Sequence, residues 1–538
     1  MIVPSPHPSV TIPDVSFGEF MFRHLDSRRD RPALVDGSTG RVLTYGELHD
    51  RAVAVARALI ARGLEPGDVL ALCSPNLPEY AVAFHAVAMA GGCNTTLNPL
   101  QTVEEIAHQL GDSRARWLFT VPPLIGKARA VAARTHVEEV FVFGEGEGAT
   151  PFAALVEEGT RLGGADGAAP GAIAGRVGDP GAQLVALPYS SGTTGRPKGV
   201  MLTHRNLVAN LAQCHQVDPV EPDAVIIAVL PFFHIYGMVV IMGCGLKAGA
   251  TVVTLPRFDL ETFLDTIQRH RVTRAYVVPP IALALAKHPV VDAYDLSSLR
   301  YLVSGAAPLG AEVALACQAR LGCDVTQGYG LTETSPVTHY RPWRWGGDAR
   351  IASVGPSVPD TEILIADLET GAPLARGETG EVWVRGPQVM AGYLNHREAT
   401  DRTIDADGWL HTGDVGRIDE DGALTIVDRA KELIKYKGFQ VPPAELEDVL
   451  LSHPAVRDAA VIPIPDDEAG EVPKAFVVRS GEVSEDELAA YVAARVSSYK
   501  KIRRFEFTDQ IPRSPSGKIL RRILVDRERE AAAAARGA

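Results

Sequence analysis

Short apolar runs alternate with helical patterns through the middle of the chain. β-branched runs favour strands, whereas apolar positions three and four residues apart favour a helix. The expected elements are a strand at Thr251–Leu255, a helix over 260–267, strands at Ala275–Val278 and Tyr301–Val303, and a helix at Ala311–Leu321. This alternation is typical of βαβ units, which build parallel sheets flanked by helices. The larger part of the chain is therefore predicted to be an α/β fold.

Beyond about Asp428 the pattern changes to that of a small α+β unit. The elements expected there are a helix at Ala444–Leu451, strands around Ala459–Ile462 and Ala475–Val478, and a helix from Glu485. A C-terminal domain of roughly a hundred residues is therefore predicted. Before the α/β pattern, the Gly-, Ala- and Glu-rich segment Gly144–Gly181 has little periodicity, and we expect a loose connector inside the larger domain.

Composition narrows the class of protein. With 538 residues, 46% hydrophobic and 22% charged, the chain is long enough for two or three globular domains. A net charge of -13 argues against a nucleic-acid surface, so any anionic ligand must depend on local basic residues.

The six cysteines lack metal-ligand spacing, which predicts reduced thiols, mostly buried. The chain has no secretory-signal pattern, no apolar run of membrane-spanning length and no Ser-Lys-Leu ending, so we expect a cytoplasmic protein without membrane insertion.

The segment SSGTTGRPKG, Ser190–Gly199, follows the apolar run Leu184–Leu187, which predicts a strand. Its glycines let the backbone approach an anion, its hydroxyls supply donors, and Lys198 supplies a positive charge. The residues concerned are Ser190, Ser191, Gly192, Thr193, Thr194, Gly195, Lys198 and Gly199. The Gly-Lys-Ser/Thr ending of a Walker A loop is missing. We predict a phosphate-binding loop, because these residues exceed what a flexible Gly/Ser turn requires.

Seven further motifs follow this loop. They are LPFFHIYG (230–237), GAAPLG (305–310), QGYGLTE (327–333), GEVWVRG (380–386), HTGD (411–414), VDRAKELIKYKGFQVPPAELE (427–447) and PRSPSGKILR (512–521). In this order, and over nearly the whole chain, they resemble the adenylate-forming superfamily and, within it, the 4-coumarate:CoA ligase group. The resemblance implies an α/β multidomain fold, with an AMP-binding N-terminal domain over 1–430 and a small mobile α+β C-terminal domain over 431–538. It also implies that ATP activates a carboxylic acid as an acyl-adenylate with release of pyrophosphate, and that coenzyme A then converts the adenylate to a thioester with release of AMP.

The first half-reaction requires concentrated positive charge. A carboxylate is a weak nucleophile and ATP is densely anionic, so attack on the α-phosphate needs cations and Mg²⁺. The resemblance implies that Lys518 bridges carboxylate and phosphate, that Glu333 helps hold Mg²⁺ and that Thr332 contacts the α-phosphate. It places His234 at the carboxylate end of the acyl pocket. Without the resemblance, Lys518 is a solvated lysine of a Ser/Gly loop and His234 a core residue.

The resemblance also assigns the rest of the nucleotide site. Asp414 accepts hydrogen bonds from the ribose hydroxyls, Arg429 contacts ribose or phosphate, and Tyr329 stacks on adenine. The other nucleotide residues are Gly305, Ala306, Ala307, Gln327, Gly328 and Lys435. The alternatives from the residues alone are that Asp414 is a turn residue and that Tyr329 packs in the core.

The second half-reaction implies a second domain arrangement. Lys431 is at the hinge position of the superfamily, and Lys437 and Gly438 line the path of the CoA thiol once Lys518 has left. A side chain at position 438 narrows that path. Gln440 lies near nucleotide or substrate. We interpret the basic run Lys500–Arg504 as a solvated cluster rather than a contact to CoA phosphates.

The acyl pocket implied by the resemblance is a slot of modest size. Its residues are His234, Ile235, Tyr236, Val240, Ala306, Gly328, Pro336 and Val337. Tyr236 either donates a hydrogen bond to a 4-hydroxyl on the substrate ring or fills space. We expect 4-coumarate or a related hydroxycinnamate or aryl acid as substrate, and a monomer or homodimer that also binds ATP and CoA. The alternatives are a medium-chain fatty acyl-CoA synthetase, an acyl-AMP ligase that loads a carrier protein, and a non-catalytic nucleotide-binding protein.

Overall fold

A computed structural model describes the chain from residue 1 to residue 537, with gaps. Residues 165–172, 174, 191–196, 344, 346, 438, 467, 515, 516 and 538 are outside the description, and only the backbone is described for 164, 349 and 532–537. Within these ranges, every helix is too short or too polar to cross a membrane.

Helices and strands are numbered in chain order. The helices of the described residues are α1 Phe17–Phe22, α2 Tyr45–Ala61, α3 Pro78–Met89, α4 Val103–Ser113, α5 Ile125–Ala132, α6 Phe152–Gly164, α7 His204–Val217, α8 Cys244–Ala248, α9 Leu260–His270, α10 Pro279–Lys287, α11 Ala311–Leu321, α12 Arg397–Thr403, α13 Pro443–Ser452, α14 Glu485–Ala493 and α15 Arg521–Gly537. The strands are β1 Ile2–Val3, β2 Pro32–Asp36, β3 Val42–Thr44, β4 Val69–Cys73, β5 Cys93–Leu97, β6 Trp117–Thr120, β7 Glu139–Val142, β8 Thr150–Pro151, β9 Leu184–Ala186, β10 Tyr189–Ser190, β11 Lys198–Thr203, β12 Val225–Ala228, β13 Thr251–Thr254, β14 Arg274–Val277, β15 Tyr301–Ser304, β16 Asp324–Gly330, β17 Val337–Tyr340, β18 Glu362–Ala366, β19 Gly380–Arg385, β20 Gly392–Tyr393, β21 Leu410–Ile418, β22 Leu424–Arg429, β23 Ile434–Tyr436, β24 Phe439–Val441, β25 Val456–Asp466, β26 Gly470–Arg479 and β27 Arg504–Phe507.

Two large sheets form the body of the molecule. One has the strand order β10-β11-β9-β5-β4-β6-β7-β8, with β20 added beside β11, and the other has the order β17-β16-β15-β14-β12-β13-β2-β3. Strands β12 to β16 pair in parallel, as the βαβ pattern predicts. Their carboxyl ends therefore meet at one edge of the sheet, where open α/β sheets bind ligands. The predicted α/β multidomain class is confirmed.

The Gly144–Gly181 segment is more ordered than predicted. It contains β8 and helix α6, which packs on α2 so closely that a Cβ on Gly159 would lie 1.7 Å from the carbonyl oxygen of Ala54. Only glycine permits this approach of two helix backbones. The expectation of a loose connector was therefore wrong for 150–164, because close packing compensates for the weak periodicity.

The C-terminal part is an α+β unit, as predicted. Strands β24, β23, β26 and β25 form a sheet in that order, with β27 beside β26, and α13 and α14 pack on it. Ser484 caps α14 by accepting a hydrogen bond from the backbone amide of Glu487 at 3.2 Å. A further sheet, β1-β18-β19-β21-β22, lies before it in the chain. All six cysteines are free thiols, five of them buried.

Candidate active site

A cavity of about 830 Å³ lies at the carboxyl ends of β14, β15 and β16, below the loop that carries Lys518. Most of the predicted site residues line it. They are Ser190, Lys198, His234, Ile235, Tyr236, Val240, Gly305, Ala306, Gly328, Tyr329, Thr332, Glu333, Pro336, Val337, Arg429 and Lys518. Residues that are up to 328 positions apart in the chain thus share one cavity (190 to 518).

The other predicted residues fall into two groups. Those in the described part of the chain that do not line the cavity are Ala307, Gln327, Asp414, Lys431, Lys435, Lys437 and Gln440. Those outside the described residues are Ser191, Gly192, Thr193, Thr194, Gly195 and Gly438. The ends of the phosphate loop are nevertheless placed, because β10 and β11 pair with Ser190 opposite Lys198.

The Lys518 loop rests on the large sheet. A Cβ on Gly517 would lie 2.8 Å from Cγ2 of Val278, immediately after β14, and Gly517 has a φ of +80° that favours glycine. Arg513 stabilises the loop by donating a hydrogen bond to the Gly517 carbonyl at 2.8 Å and by pairing with Asp458 at 2.7 Å. These contacts hold the Lys518 side chain over the cavity.

Lys518 and His234 lie in a common electrostatic environment. Burial, together with the charge of Arg429, lowers the pKa of Lys518 to about 8. Burial and the charge of Lys518 lower the pKa of His234 to about 4, so the imidazole is neutral at pH 7. Its Nδ1 accepts a hydrogen bond from the Tyr236 backbone amide at 3.3 Å, which places the ring proton on Nε2. Neutral His234 is therefore a hydrogen-bond donor beside a lysine cation.

Glu333 is held by a residue that sequence reasoning missed. The Tyr393 hydroxyl donates a hydrogen bond to Oε1 of the buried Glu333 carboxylate at 2.8 Å, and Lys198 Nζ lies 5.5 Å from the centre of the Tyr393 ring. Tyr393 reaches this position because β20 pairs with β11. No local pattern indicated Tyr393, since its partner is 60 residues away in the chain.

Asp414 lies behind the cavity wall. Its carboxylate accepts hydrogen bonds from the Tyr329 hydroxyl at 2.7 Å and from Arg429 Nε at 3.0 Å, and strand pairing places Arg429 directly opposite. Burial raises the pKa of Asp414, although the charge of Arg429 opposes this shift. The three residues predicted at the nucleotide thus form one hydrogen-bonded group, in which Tyr329 and Arg429 face the cavity.

Gln327 supports the site instead of lining it. Its side-chain amide donates hydrogen bonds to the carbonyls of Leu309 and Ile351 at 3.0 and 2.7 Å and accepts one from the Leu309 amide at 3.0 Å. These bonds fix the end of the 305–310 segment, whose first two residues line the cavity. Its prediction as a nucleotide-binding residue is not supported by its position.

The acyl end of the cavity is formed by a π-helical segment, Tyr236–Gly243, opposite β15. Tyr236 packs directly on Gly305, where a Cβ would lie 3.0 Å from the tyrosine ring. The Tyr236 hydroxyl donates a hydrogen bond to the Val303 carbonyl at 3.2 Å. Beyond it, the cavity is lined by residues that sequence reasoning missed, namely Cys214, Val217, Asp218, Cys244, Tyr276, Val303 and Tyr340.

Comparison with known proteins identifies the family. A model of AMP-binding enzymes matches residues 21–394, and a model of the AMP-binding enzyme C-terminal domain matches residues 445–518. The chain is 45% identical to 4-coumarate–CoA ligase 5 of Oryza sativa subsp. japonica, over 96% of this chain and 95% of the relative. It is 43% identical to 4-coumarate–CoA ligase 1 of Petroselinum crispum, over 97% of this chain and 96% of that relative.

A solved structure agrees with these relatives. The anthranilate CoA ligase AuaEII in complex with anthranoyl-AMP matches with a TM-score of 0.87 and 27% identity, over 97% of this chain and 98% of that chain. The fold, the order of motifs and the relatives all point to one family. The chain belongs to the AMP-binding, adenylate-forming enzymes, in the group that resembles 4-coumarate–CoA ligase.

Proposed function

We propose that this protein is an ATP-dependent acid:CoA ligase that acts on hydroxycinnamates. In the first half-reaction a carboxylate oxygen attacks the α-phosphorus of ATP and pyrophosphate leaves. In the second, the CoA sulfur attacks the acyl carbon and AMP leaves. The observation that carries the proposal is the half-buried Lys518 cation beside neutral His234 and the Glu333 carboxylate, in one cavity large enough for nucleotide and acid. The names of the relatives support CoA as the acceptor.

We propose a role for each of the main cavity residues. The carboxylate and the α-phosphate are both negatively charged and repel each other as they approach. Lys518 reduces this repulsion with its positive charge. His234 donates from Nε2 to a carboxylate oxygen and so orients the acid. Thr332 contacts the α-phosphate, and Tyr329 stacks on adenine. To bind ribose, Asp414 exchanges one of its present partners for the ribose hydroxyls.

The residues present fit a Mg²⁺ ion. Mg²⁺ at nucleotide sites takes one or two carboxylates together with phosphate oxygens and water. Glu333 supplies one carboxylate, oriented by Tyr393, at the cavity wall near Lys198. Among the described residues no group of three or more His, Cys, Asp or Glu side chains could hold a metal ion. Bound Mg²⁺ neutralises phosphate charge.

We further propose an N-terminal domain over 1–430 and a mobile C-terminal domain over 431–538, with Lys431 as the hinge. The C-terminal unit has its own hydrophobic core, formed by residues such as Val461 and Val477, which supports a separate domain. Location in the cytoplasm and a monomeric or homodimeric state remain predictions.

Product analysis tests the function. The purified protein with ATP, Mg²⁺, CoA and 4-coumarate is expected to form thioester, AMP and pyrophosphate in equal amounts, and to use cinnamate and octanoate less efficiently. Preference for octanoate would indicate a fatty acyl-CoA synthetase. Adenylate formation with transfer only to a holo carrier protein would indicate a loading enzyme. Absence of pyrophosphate exchange with every acid tested would contradict catalysis.

A Gly517→Ala variant tests the placement of Lys518. A Cβ there meets buried Val278 and the residue keeps a strained positive φ, so the loop must shift. We expect adenylation to slow roughly tenfold or more, because a displacement of about 1 Å at the reacting groups costs up to 10²-fold in rate. Thioester formation from supplied acyl-AMP is expected to change far less. Pyrophosphate exchange and single-turnover thioester assays measure the two steps.

Two further variants separate the effect of backbone strain at a positive φ from the effect of the steric contact with Val278. Gly322→Ala shares the positive φ, at +65°, but meets no atom within 4 Å, so its adenylation rate should equal that of the wild type. Val278→Ala combined with Gly517→Ala removes the 2.8 Å contact with Cγ2 but leaves Cβ at 3.1 Å, so it should restore part of the lost rate. A Gly517→Ala enzyme that adenylates normally would show that the loop position does not matter.

A further inference from the structure

The deep end of the acyl cavity is polar. Asp218, Tyr276 and Tyr340, which we call the polar floor, all line the cavity and are at least nine-tenths buried. They come from the residue after α7, from β14 and from β17. Buried polar groups are normally fully hydrogen-bonded, so such a cluster at the end of a substrate cavity calls for a physical reason.

The polar floor lies well below Lys518. Arg274, Tyr276 and Val278 are alternate residues of one extended segment, so they project to the same face of the sheet. Val278 is in contact range of Gly517, beside Lys518. With a rise of about 3.3 Å per residue, Tyr276 is about 7 Å and Arg274 about 13 Å further along the strand. This depth suits an acid with an aromatic ring beyond a short unsaturated chain.

Asp218 is held as a fixed anion. Its Oδ1 accepts hydrogen bonds from Arg274 at 2.6 Å and from Trp343 Nε1 at 3.0 Å. Arg274 is itself only 1% exposed. The contact described for Oδ2 is a long one, 3.5 Å, from the Tyr276 hydroxyl. At this distance the hydrogen bond is weak, so Oδ2 retains acceptor capacity toward the cavity.

Tyr340 supplies the complementary group. Its hydroxyl is buried and makes no hydrogen bond of normal geometry among the described residues, although the Asp218 carboxylate is close enough to interact with it. Tyr340 pairs with Gly328, and its ring carbon Cδ2 lies 3.6 Å from where a Gly328 Cβ would be, so the ring borders the cavity at a position without a side chain. Burial and the charge of Asp218 raise the pKa of Tyr340 well above its usual value, and the hydroxyl keeps its proton.

Tyr236, by contrast, already uses its hydroxyl proton. It donates this proton to the Val303 carbonyl, and its ring packs on Gly305. A substrate hydroxyl that approaches Tyr236 meets a phenol whose hydrogen is engaged. The polar floor instead offers an acceptor, Asp218 Oδ2, and a donor, the Tyr340 hydroxyl, neither of which makes a short hydrogen bond of good geometry among the described residues.

We propose that the polar floor binds a hydrogen-bond donor at the distal end of the acid, such as the 4-hydroxyl of a hydroxycinnamate. Asp218 accepts the hydrogen of this group, and Tyr340 donates to its oxygen. Arg274 is a positioning residue that fixes Asp218. The inference rests on the proposed function and names the group by which that function selects its acid. A distal hydrogen or methoxy group leaves the Asp218 acceptor unpaired, so both substitutions are disfavoured.

Substrate competition tests the proposal. The kcat/KM values of the full-length enzyme for 4-coumarate, cinnamate and 4-methoxycinnamate are measured at saturating ATP and CoA. Tyr340→Phe keeps the ring and removes the donor, so the 4-coumarate to cinnamate ratio should fall roughly tenfold. Tyr236→Phe is the matched control, because it removes a tyrosine hydroxyl of the same cavity that is already bonded to the Val303 carbonyl, and it should leave this ratio within about threefold of the wild type.

A second variant addresses the acceptor. Asp218→Asn preserves shape but replaces the carboxylate, so the advantage of 4-coumarate over 4-methoxycinnamate should fall roughly tenfold or more. Because this change also disturbs Arg274, thermal unfolding of the variant is recorded. If Asp218→Asn does not fold, the Tyr340→Phe ratio decides.

The outcomes of these assays distinguish failure of the proposed function from failure of the polar-floor inference. A wild-type enzyme that forms thioester from none of the three acids overturns the proposed function. A wild-type enzyme that forms thioesters but does not prefer 4-coumarate overturns only the polar-floor inference. The same holds if Tyr340→Phe keeps the wild-type ratio, or if Tyr236→Phe lowers it more than Tyr340→Phe does.

Discussion

The Lys518→Ala variant is expected to lose adenylate formation by roughly 10²- to 10³-fold, the usual effect of removing one preorganised transition-state contact. Lys518 is the cation that the loop after Pro512 places over the cavity, next to neutral His234. Supplied acyl-AMP bypasses the attack on the α-phosphate, so thioester formation from it should continue. Pyrophosphate exchange measures the first step, and single-turnover thioester formation measures the second.

Arg522→Ala provides the control for this variant. Arg522 lies four residues from Lys518, but its side chain is 85% exposed and pairs only with Asp526 among the described residues. Both half-reactions should remain at the wild-type rate. Equal loss of the two half-reactions in Lys518→Ala would contradict its assignment to adenylation.

The pH dependence of adenylation follows from the pKa values of Lys518 and His234. The pKa of Lys518 is lowered to about 8, so its charge is lost as the pH rises through 8. The pKa of His234 is about 4, so the imidazole is neutral above that pH. The kcat/KM for adenylation, which reports the free enzyme, should therefore decline above about pH 8. Bound ATP favours the lysine cation, so the decline in kcat should lie at higher pH. A decline in kcat/KM only above pH 10 would show that Lys518 is not buried in the free enzyme.

The second large effect, a slower formation of the thioester, is expected for substitutions at positions 437 and 438. Lys437 is exposed, follows β23 and forms an ion pair with Glu468, outside the cavity that Lys518 enters. Its proposed role on the thiol path therefore needs another arrangement of the C-terminal domain. Lys437→Ala and Gly438→Leu should adenylate within about twofold of the wild type but form thioester from acyl-AMP roughly 10- to 100-fold more slowly, because the first removes a charged contact and the second places a side chain in the thiol path.

Comparison of the two half-reactions within each variant provides the control for misfolding. Each is measured in both half-reactions, so misfolding would lower adenylation as well and is recognised at once. Glu468→Ala removes the partner of Lys437 in the present arrangement and should leave thioester formation intact. Normal thioester rates in Lys437→Ala and Gly438→Leu would remove both residues from the thiol path.

Local sequence predicted most elements and many of the residues that line the cavity. The helix Ala311–Leu321 has the predicted bounds, and strands β13 to β15 are within one residue of the prediction, because side-chain periodicity is set along the chain. Cavity residues such as Lys198, Glu333 and Lys518 were found through motifs. Helix α6 was missed because its packing depends on Gly159 against Ala54, a contact that no local pattern contains.

Only the tertiary structure decided how these residues cooperate. The Glu333 carboxylate is oriented by Tyr393, and the Gln327 side chain is bonded to a loop behind the cavity, because strand pairing and hydrogen bonds connect residues distant in sequence. The same is true of the polar floor, where Asp218 and Tyr340 come from different elements. Sequence by itself predicted that Lys518 and Lys437 both take part in the chemistry. Their unequal positions, one at the cavity and one outside it, follow from domain packing, which buries only the surface facing the large sheet.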